Sequence, residues 1–364
     1  MSPHHDAPSP AGSYSRFTGS LPIRPGAVQP QFAPSHFDSF DASSVESADM
    51  GIHRPLVPGV YVPTVAFFDP VTDDLDLKTT ASHAVRLAEA GVAGLTTQGS
   101  NGEAVHLSHD ERDLVTSTTR KALDDAGFGD MPLIVGCGAQ STRESIELCR
   151  RAHAAGGDYA LVLPPAYYKG LFSDETVKHF FGDVATASPV PVLIYNYPGA
   201  VSGLDLSSDA IVDLARHDNI VGCKLTCGNT GKLNRVAAAT RAATPGEPVG
   251  FMCMGGSADF ALQTLVGGGS GVIAGLANVA PKACVRLVEL FEAGNLKEAR
   301  KLQAVVARGD WAAIQGGVVG VKSALVSHFG YGGYGRKPLP RPSKDQVRQW
   351  RDDFDELVRV EKSL

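Results

Sequence analysis

The stretch from 191 to 224, PVLIYNYPGAVSGLDLSSDAIVDLARHDNIVGCK, contains one complete unit of the predicted fold. Its two short apolar runs, 191–195 and 220–224, have the length and composition of buried strands. Between them, Ser207 or Ser208 can cap a helix that precedes Leu214. A strand, a helix and a second strand in this order are typical of a parallel α/β fold.

The same alternation runs along the chain from Gly59. Helix starts are marked by Ser108 and Ser141, each followed three residues later by a glutamate, which predicts a capping box at both places. Eight strand–helix units favour a closed (β/α)8 (TIM) barrel, with an open doubly wound sheet as the alternative. The predicted strands are 59–67, 91–98, 132–136, 159–163, 191–195, 220–224, 249–253 and 271–275.

We expect the chain to divide into three segments: one before the barrel pattern, the barrel itself and one after it. Residues 1–58 hold nine of the 23 prolines, many serines and no apolar periodicity, so we expect a disordered tail. We expect residues 59–290 to form the barrel, which in this architecture is the catalytic part of an enzyme. The pattern after the eighth strand is helical up to the glycine-rich segment 330–335, and we assign 291–364 to a C-terminal helical segment.

Composition points to a soluble protein with a small-molecule partner. The chain has a net charge of -6 with dispersed basic residues, which gives no surface for nucleic acid. Prolines or glycines interrupt the long uncharged runs 184–204 and 260–281, so neither predicts a membrane helix. No apolar secretory region follows the N-terminus, and we expect a cytoplasmic protein; Arg16 and Arg24, offset by Asp6, leave mitochondrial import as an alternative.

The six cysteines contain no CxxC pair and mostly lie in apolar runs, which predicts buried structural thiols. No group of His, Asp and Glu residues has the spacing of metal ligands. We therefore expect neither a metal nor a cofactor.

Lys224 ends the sixth predicted strand, and the C-terminal ends of barrel strands carry the active site in this architecture. Burial at the barrel mouth disfavours the charged form of an amine, and a neutral amine can attack a carbonyl to form a Schiff base. The alternative is a lysine that reaches solvent from the strand end.

Two further segments follow neighbouring strands. Tyr195 ends the fifth strand and can relay protons during carbinolamine formation and carbon–carbon cleavage, or else pack at the rim. Gly99-Ser-Asn-Gly-Glu103 follows the second strand, and its glycines allow backbone N–H groups to converge on a carboxylate. The same letters also suit an ordinary turn, in which Glu103 only braces the loop.

Together these motifs resemble the dihydrodipicolinate synthase/N-acetylneuraminate lyase family of class I aldolases, from about Gly59 to about Pro340. The resemblance implies a (β/α)8 barrel and a homo-oligomer, usually a tetramer and otherwise a dimer. The motifs are Gly99-Ser-Asn-Gly-Glu103 with Leu107 and Glu111-Arg112, Pro165-Ala-Tyr-Tyr168, Tyr195-Asn-Tyr-Pro198, Gly222-Cys-Lys224, and Gly271-Val-Ile273 with Ala277-Asn-Val279.

The resemblance also implies roles for single residues. Lys224 forms the imine with pyruvate or the 2-oxo acid, Tyr195 is the proton-relay phenol, and Ser100 takes the place of the relay hydroxyl. Ser100 and Asn101 hold the pyruvate carboxylate. The main-chain carbonyl of Ile273 faces the pyruvyl group, and Tyr168 enters the site of a neighbouring subunit.

Two departures from the synthase pattern guide the functional prediction. The synthase has an arginine shortly after the Tyr-Asn-x-Pro motif, whereas 199–203 contains no cation. The usual Gly-Thr-Thr-Gly-Glu is Gly-Ser-Asn-Gly-Glu here, a form similar to the eukaryotic 4-hydroxy-2-oxoglutarate aldolases and the fungal 2-keto-3-deoxy-sugar-acid (L-threo-3-deoxy-hexulosonate) aldolases. We therefore predict retro-aldol cleavage to pyruvate and an aldehyde, with Ser257 or a backbone amide as a donor for a glyoxylate half.

Two other functions remain open at this point. One is another reaction on the same imine, such as a dihydrodipicolinate synthase-like condensation or a dehydration of the hydratase-aldolase type. The other is a non-catalytic protein that binds a 2-oxo acid. The second is disfavoured because a binding protein has no use for an imine-forming lysine with a proton relay beside it.

Overall fold

Eight parallel strands close into a barrel in the computed structural model, which describes residues 54–364. Each strand pairs with its neighbours in chain order, and the first pairs with the eighth. The predicted closed barrel is confirmed, and the open-sheet alternative is wrong. The strands are β1 (Gly59–Pro63), β2 (Gly94–Thr97), β3 (Leu133–Gly136), β4 (Tyr159–Val162), β5 (Val192–Asn196), β6 (Ile220–Leu225), β7 (Met252–Gly255) and β8 (Gly271–Ile273).

Side chains alternate between the barrel interior and the layer under the helices. Tyr61 and Leu193 belong to an inner cluster, whereas their neighbours Val62 and Ile194 belong to the large cluster between strands and helices. This alternation follows from the period of two along a strand, because every barrel strand is buried on both faces. Tyr195 is two residues beyond Leu193 and lies in the inner cluster.

Helices separate the strands and continue after the barrel. At the start of the second helix, Ser108 and Glu111 form the predicted capping box. Ser141 caps the third helix, but Glu144 accepts from His109 at 2.7 Å instead of returning to the cap, so that capping box is incomplete. The helices are α1 (Leu77–Glu89), α2 (His109–Asp125), α3 (Thr142–Ala154), α4 (Asp174–Ala187), α5 (Ser208–Leu214), α6 (Thr230–Thr240), α7 (Ala261–Val266), α8 (Pro281–Glu292), α9 (Leu296–Phe329) and α10 (Lys344–Ser363).

Several predicted strands were too long, and the seventh was placed too early. The prediction was 249–253, whereas β7 is Met252–Gly255. Residues before it form a turn in which the Ala243 N–H donates to the Phe251 carbonyl at 2.9 Å, and Val249 is exposed. A short apolar run therefore indicated a strand here. The strand starts later than predicted because the residues before it form a turn, whose contacts connect positions several residues apart.

The C-terminal helices pack against the barrel and against each other. Helix α9 contains one non-helical residue, Gly317, with φ 55° and ψ -155°, and it ends at the left-handed Gly330. The expected break at 330–335 is thereby confirmed. The division between 59–290 and 291–364 remains a prediction, and α8 runs across it.

The predicted tail, 1–58, lies mostly outside the described residues. Residues 54–58 are described, and Arg54 Nη1 lies 2.9 Å from the carboxylate of Asp158, which precedes β4. Tyr61 Oη donates to the Val57 carbonyl at 2.9 Å. These contacts hold the last residues of that segment against the start of the barrel strands. In residues 54–364, no helix is long and apolar enough to cross a membrane.

Candidate active site

Lys224 and Tyr195 face each other at the C-terminal ends of β6 and β5. The two residues are paired in the sheet register, so their side chains leave the strands on the same side. Lys224 Nζ donates to Tyr195 Oη at 3.3 Å and lies 4.3 Å from the centre of the ring. Both side chains are 3% exposed. The amine therefore reaches the barrel mouth rather than bulk solvent.

A cavity of about 170 Å³ opens above this pair. Its lining brings together five of the residues predicted from the sequence, which come from the C-terminal ends of β5 and β6 and from the loops after β2 and β7. Tyr168 and Ile273 are not part of the lining in the single chain. The five predicted residues are Ser100, Asn101, Tyr195, Lys224 and Ser257.

The other two predicted residues lie nearby in different settings. Ile273 is the last residue of β8 and is fully buried, while Gly275 and Leu276, just after it, line the cavity. Tyr168 follows β4 and is 62% exposed, with its ring 5.0 Å from that of Tyr167. The roles of the Ile273 carbonyl and of Tyr168 in a neighbouring subunit remain predictions.

The loop that carries Ser100 and Asn101 is bounded by two strained residues. Gln98 and Glu103 have φ of 57° and 50°, values that residues other than glycine rarely adopt. Gln98 Nε2 donates at 2.5 Å to the Arg112 carbonyl, which fixes the start of the loop. Such strain persists only where surrounding contacts enforce it, and it occurs often at functional sites.

A buried ion pair holds the end of the same loop. Lys322 Nζ, on α9, lies 2.6 Å from Glu103 Oε1 and also donates to the Tyr334 carbonyl at 2.9 Å. The second oxygen of Glu103 accepts from the backbone N–H of Arg336 at 2.9 Å and lies 3.0 Å from His106 Nδ1. Glu103 thus braces the loop, the role considered for it from the sequence.

Sequence reasoning missed the three other polar side chains of the lining, Tyr197, Thr226 and Asp310. The hydroxyl of Thr226 is buried and has no hydrogen-bond partner among residues 54–364. A Cβ at Gly256 would lie 2.0 Å from this hydroxyl, so only glycine leaves it in place. Thr226 is two residues beyond Lys224, and the period of two along a strand could have identified it.

Tyr197 stacks on Tyr195, with ring centres 5.8 Å apart. Burial, together with the neighbouring Tyr195, raises the pKa of Tyr197 above its usual value. The phenol of Tyr197 therefore stays protonated at neutral pH and can serve as a donor to a bound ligand.

Asp310 enters the cavity from α9 and contacts Ser257. Its Oδ2 accepts from Ser257 Oγ at 2.5 Å and from the backbone N–H groups of Ala258 and Asp259 at 2.8 and 2.9 Å. Burial raises the pKa of Asp310 from 3.8 to about 6, although the hydrogen bonds from these donors act to lower it. No sequence motif marks Asp310, because an aspartate in a helix usually faces solvent.

Two other cations lie close to the site without lining this cavity. Segment 199–203 contains no cation, but Lys169 Nζ reaches it and donates to the Ser202 carbonyl at 2.9 Å. Arg112 borders an adjacent cavity of about 320 Å³, where it donates to the Ala104 carbonyl at 2.8 Å. In the described part of the chain, Lys224 itself is the one cation that lines this cavity.

Neither a metal cluster nor a disulfide is found in the described part of the chain. No three His, Cys, Asp or Glu side chains there converge as metal ligands. All six cysteines lie in that part and are free thiols, five of them buried and Cys227 half-buried. The cavity combines a buried amine, a phenol within hydrogen-bond distance and an unpartnered hydroxyl. Such a set can form an imine and move protons on it.

Comparisons with known proteins agree with this geometry. The model of the dihydrodipicolinate synthetase family matches residues 57–356. "Probable 4-hydroxy-2-oxoglutarate aldolase, mitochondrial" of Emericella nidulans is 58% identical over 312 residues, which cover 86% of this chain and 98% of the relative. "L-threo-3-deoxy-hexylosonate aldolase" of Hypocrea jecorina is 51% identical over 312 residues, covering 85% and 99%.

Among solved structures, YagE from E. coli, described as a member of the dihydrodipicolinic acid synthase family in complex with pyruvate, is 27% identical. It superposes with a TM-score of 0.75 and covers 83% of this chain and 99% of its own. The family match spans most of the chain, and the named aldolases cover nearly their full length. The chain therefore belongs to the dihydrodipicolinate synthetase family, as an aldolase and carbon–carbon lyase.

Proposed function

We propose that the protein cleaves a 4-hydroxy-2-oxo acid, either a 2-keto-3-deoxy sugar acid or 4-hydroxy-2-oxoglutarate, to pyruvate and an aldehyde. The observation that carries the proposal is the buried contact between the Lys224 amine and the Tyr195 phenol inside the cavity. The names of the two aldolases support it, as does the pyruvate bound to YagE.

The reaction begins with the neutral amine of Lys224, which attacks the C2 carbonyl carbon of the substrate. Tyr195 gives its proton to the departing hydroxyl of the carbinolamine, so that water leaves and an iminium remains. The phenolate then takes the proton of the C4 hydroxyl, directly or through Ser100. The electrons of the C3–C4 bond move into the iminium, which leaves an enamine and releases the aldehyde.

Protonation at C3 converts the enamine back to an iminium, and water hydrolyses it to pyruvate and free Lys224. In this proposal Ser100 and Asn101 bind the pyruvate carboxylate, and the Ile273 carbonyl faces the pyruvyl group. Their positions support this role, because Ser100 and Asn101 line the cavity and Ile273 ends the strand beside it.

A synthase-type condensation with aspartate semialdehyde remains the alternative reaction, and the surroundings of the cavity disfavour it. A carboxylate on the second substrate needs a cation, and a charge-assisted contact contributes about 1.5 to 3 kcal/mol. Lys169 is bound to a carbonyl outside the lining, and Arg112 borders the adjacent cavity. We expect condensation with aspartate semialdehyde to be about tenfold to a hundredfold less efficient than with a neutral aldehyde.

The test is pyruvate release from a panel of 4-hydroxy-2-oxo acids, with Lys224→Ala as the inactive control. We expect release from at least one member of the panel by the unmodified protein alone. Release from none, with efficient condensation of pyruvate and aspartate semialdehyde, would establish the synthase reaction instead. Pyruvate binding without imine formation would establish the non-catalytic alternative.

We further propose a homo-oligomer, a tetramer or a dimer, in which Tyr168 reaches a neighbouring cavity. The exposure of Tyr168, Tyr167 and Leu171 on one loop supports this proposal. Light scattering after gel filtration measures the oligomeric state, and Tyr168→Ala is expected to lower activity in the oligomer.

The compartment proposed from the sequence is the cytoplasm. A mitochondrial location is the alternative, which the name of the Emericella nidulans relative favours. Cell fractionation with an antibody against the protein distinguishes the two compartments.

A further inference from the structure

Asp310 is a buried carboxylate that the proposed mechanism does not use. It is 3% exposed, yet it lines the same cavity as Lys224 and Tyr195. Three donors, from Ser257, Ala258 and Asp259, all bind its Oδ2 atom. In the described residues, no donor reaches Oδ1. One half of the carboxylate is therefore anchored, and the other half is left to accept a hydrogen bond from a ligand.

The charges in the cavity allow the Asp310 carboxylate to discriminate between substrates with one carboxylate and substrates with two. After imine formation, the positive charge on the Lys224 nitrogen is matched by the carboxylate of the bound 2-oxo acid. Among residues 54–364, no second cation lines the cavity to balance Asp310. A second carboxylate on the substrate would then meet an unbalanced like charge, and like-charge juxtaposition opposes binding.

We propose that Asp310 selects the aldehyde half of the substrate. Its free oxygen accepts hydrogen bonds from the hydroxyl groups of a neutral hydroxyaldehyde and repels an aldehyde that carries a carboxylate. This inference rests on the proposed function and narrows it: the substrate is a 2-keto-3-deoxy sugar acid with hydroxyl groups beyond C4, and 4-hydroxy-2-oxoglutarate is disfavoured.

The protonation of Asp310 gives the selection a pH dependence. With a pKa of about 6, the group is charged above that pH and neutral below it, where it can donate to a carboxylate. Helix α10 places the apolar Leu357 against the adjacent Gly309, and its Glu361 binds the first N–H groups of α8. The other titratable groups around Asp310 are Asp259 before α7, Cys284 on α8, and Lys224, Tyr195 and Tyr197 in the cavity.

The experiment compares the condensation of pyruvate with glyceraldehyde and with glyoxylate. The measured quantity is the ratio of kcat/KM for the two aldehydes, in which effects on imine formation cancel. Asp310→Asn keeps the size of the side chain and an oxygen that can accept from Ser257, but it removes the charge. We expect the ratio in favour of glyceraldehyde to fall by about tenfold or more, the value of one charge-assisted contact.

Asp259→Asn is the matched control. It removes a negative charge next to Asp310 that does not line the cavity, and we expect the ratio to stay within about twofold of the unmodified protein. An unchanged ratio in Asp310→Asn would overturn the proposal and leave Asp310 as an anchor for the segment before α7. An equal loss of kcat/KM with both aldehydes leaves the ratio unchanged and would also overturn the proposal.

If Asp310→Asn does not fold, the unmodified protein provides the test. Glyoxylate stays ionised over the range, so the preference for glyceraldehyde should decrease as the pH falls from about 8 to about 5. A constant ratio across that range overturns the proposal. Borohydride trapping of pyruvate is measured in parallel: an unmodified protein that forms no imine refutes the proposed function, whereas imine formation with an unchanged ratio refutes only the role of Asp310.

Discussion

The buried pair of Glu103 and Lys322 allows a quantitative test of how the loop that contains Ser100 and Asn101 is held. Lys322 is fully buried, and its ammonium group contacts Glu103, the Tyr334 carbonyl and, at 4.6 Å, the ring of Phe68. Burial lowers the pKa of Lys322, and the charge of Glu103 acts in the opposite direction. Each charge therefore depends on the other for its compensation.

Replacing Lys322 by Met removes the ammonium group but keeps an unbranched chain against Phe68. Glu103 then remains buried with two donors, from His106 and the Arg336 backbone. Breaking a buried pair on one side costs about 3 to 5 kcal/mol of unfolding free energy, and these donors place the expected loss near the lower value. The double variant Glu103→Gln with Lys322→Met contains no uncompensated charge, and we expect it to lose only about 1 kcal/mol, the net value of one hydrogen bond.

Urea unfolding followed by circular dichroism measures these losses, and the KM for pyruvate reports the position of the loop. Lys301→Met is the control on the same helix, since the pair of Lys301 and Glu298 is exposed and contributes at most about 0.5 kcal/mol. The reasoning fails if Lys322→Met costs no more than Lys301→Met. It also fails if the unfolding free energy lost by the double variant equals the sum of the losses in Glu103→Gln and in Lys322→Met.

Three further predictions concern backbone strain, proton transfer and pH. Gly317→Ala should lower the free energy of unfolding by about 1 to 3 kcal/mol through backbone strain, since no other part of the described chain lies within 4 Å of its Cβ position. Gly182→Ala in α4 is the control and should be neutral or stabilising by up to about 1 kcal/mol. Thermal unfolding measures both variants, and equal shifts in Tm would contradict this reasoning. Tyr195→Phe should lower turnover by about 100-fold while slower imine trapping persists; unchanged turnover would return Tyr195 to a packing role. Burial lowers the pKa of His83 from 6.5 to about 3, so between these pH values the unfolded chain binds a proton that the folded chain does not. The free energy of unfolding should therefore fall as the pH drops from about 6.5 towards 3. In His83→Gln the slope of unfolding free energy against pH should decrease, and an identical slope would contradict the lowered pKa of His83.

The barrel and the central pair of the site could be predicted because their signals are local. Each strand is a short apolar run, and strands five and six are neighbours in any barrel that follows chain order. Tyr195 and Lys224 end those strands, so their proximity follows from topology alone. Strand ends were less well predicted, since the start of β7 depends on turn contacts such as that between Ala243 and Phe251, which lie eight positions apart.

The remaining parts of the site depend on how α9 crosses the barrel mouth, which no local pattern shows. Asp310 lies 53 residues beyond its partner Ser257, and Lys322 lies 219 residues beyond Glu103. From the sequence alone, Asp310 and Lys322 would both be placed on an exposed polar face of α9. The helix was predicted, but its contribution to the cavity required the three-dimensional arrangement.

The central claim is that Lys224 forms a covalent imine with the 2-oxo acid. Treatment with pyruvate and borohydride, followed by peptide mapping, tests it directly. The described chain contains other buried lysines, including Lys232 and Lys322, which serve as internal controls. We expect one labelled lysine, Lys224, and no label in Lys224→Ala. Label on Lys232 or Lys322, or label that persists in Lys224→Ala, would contradict the assignment.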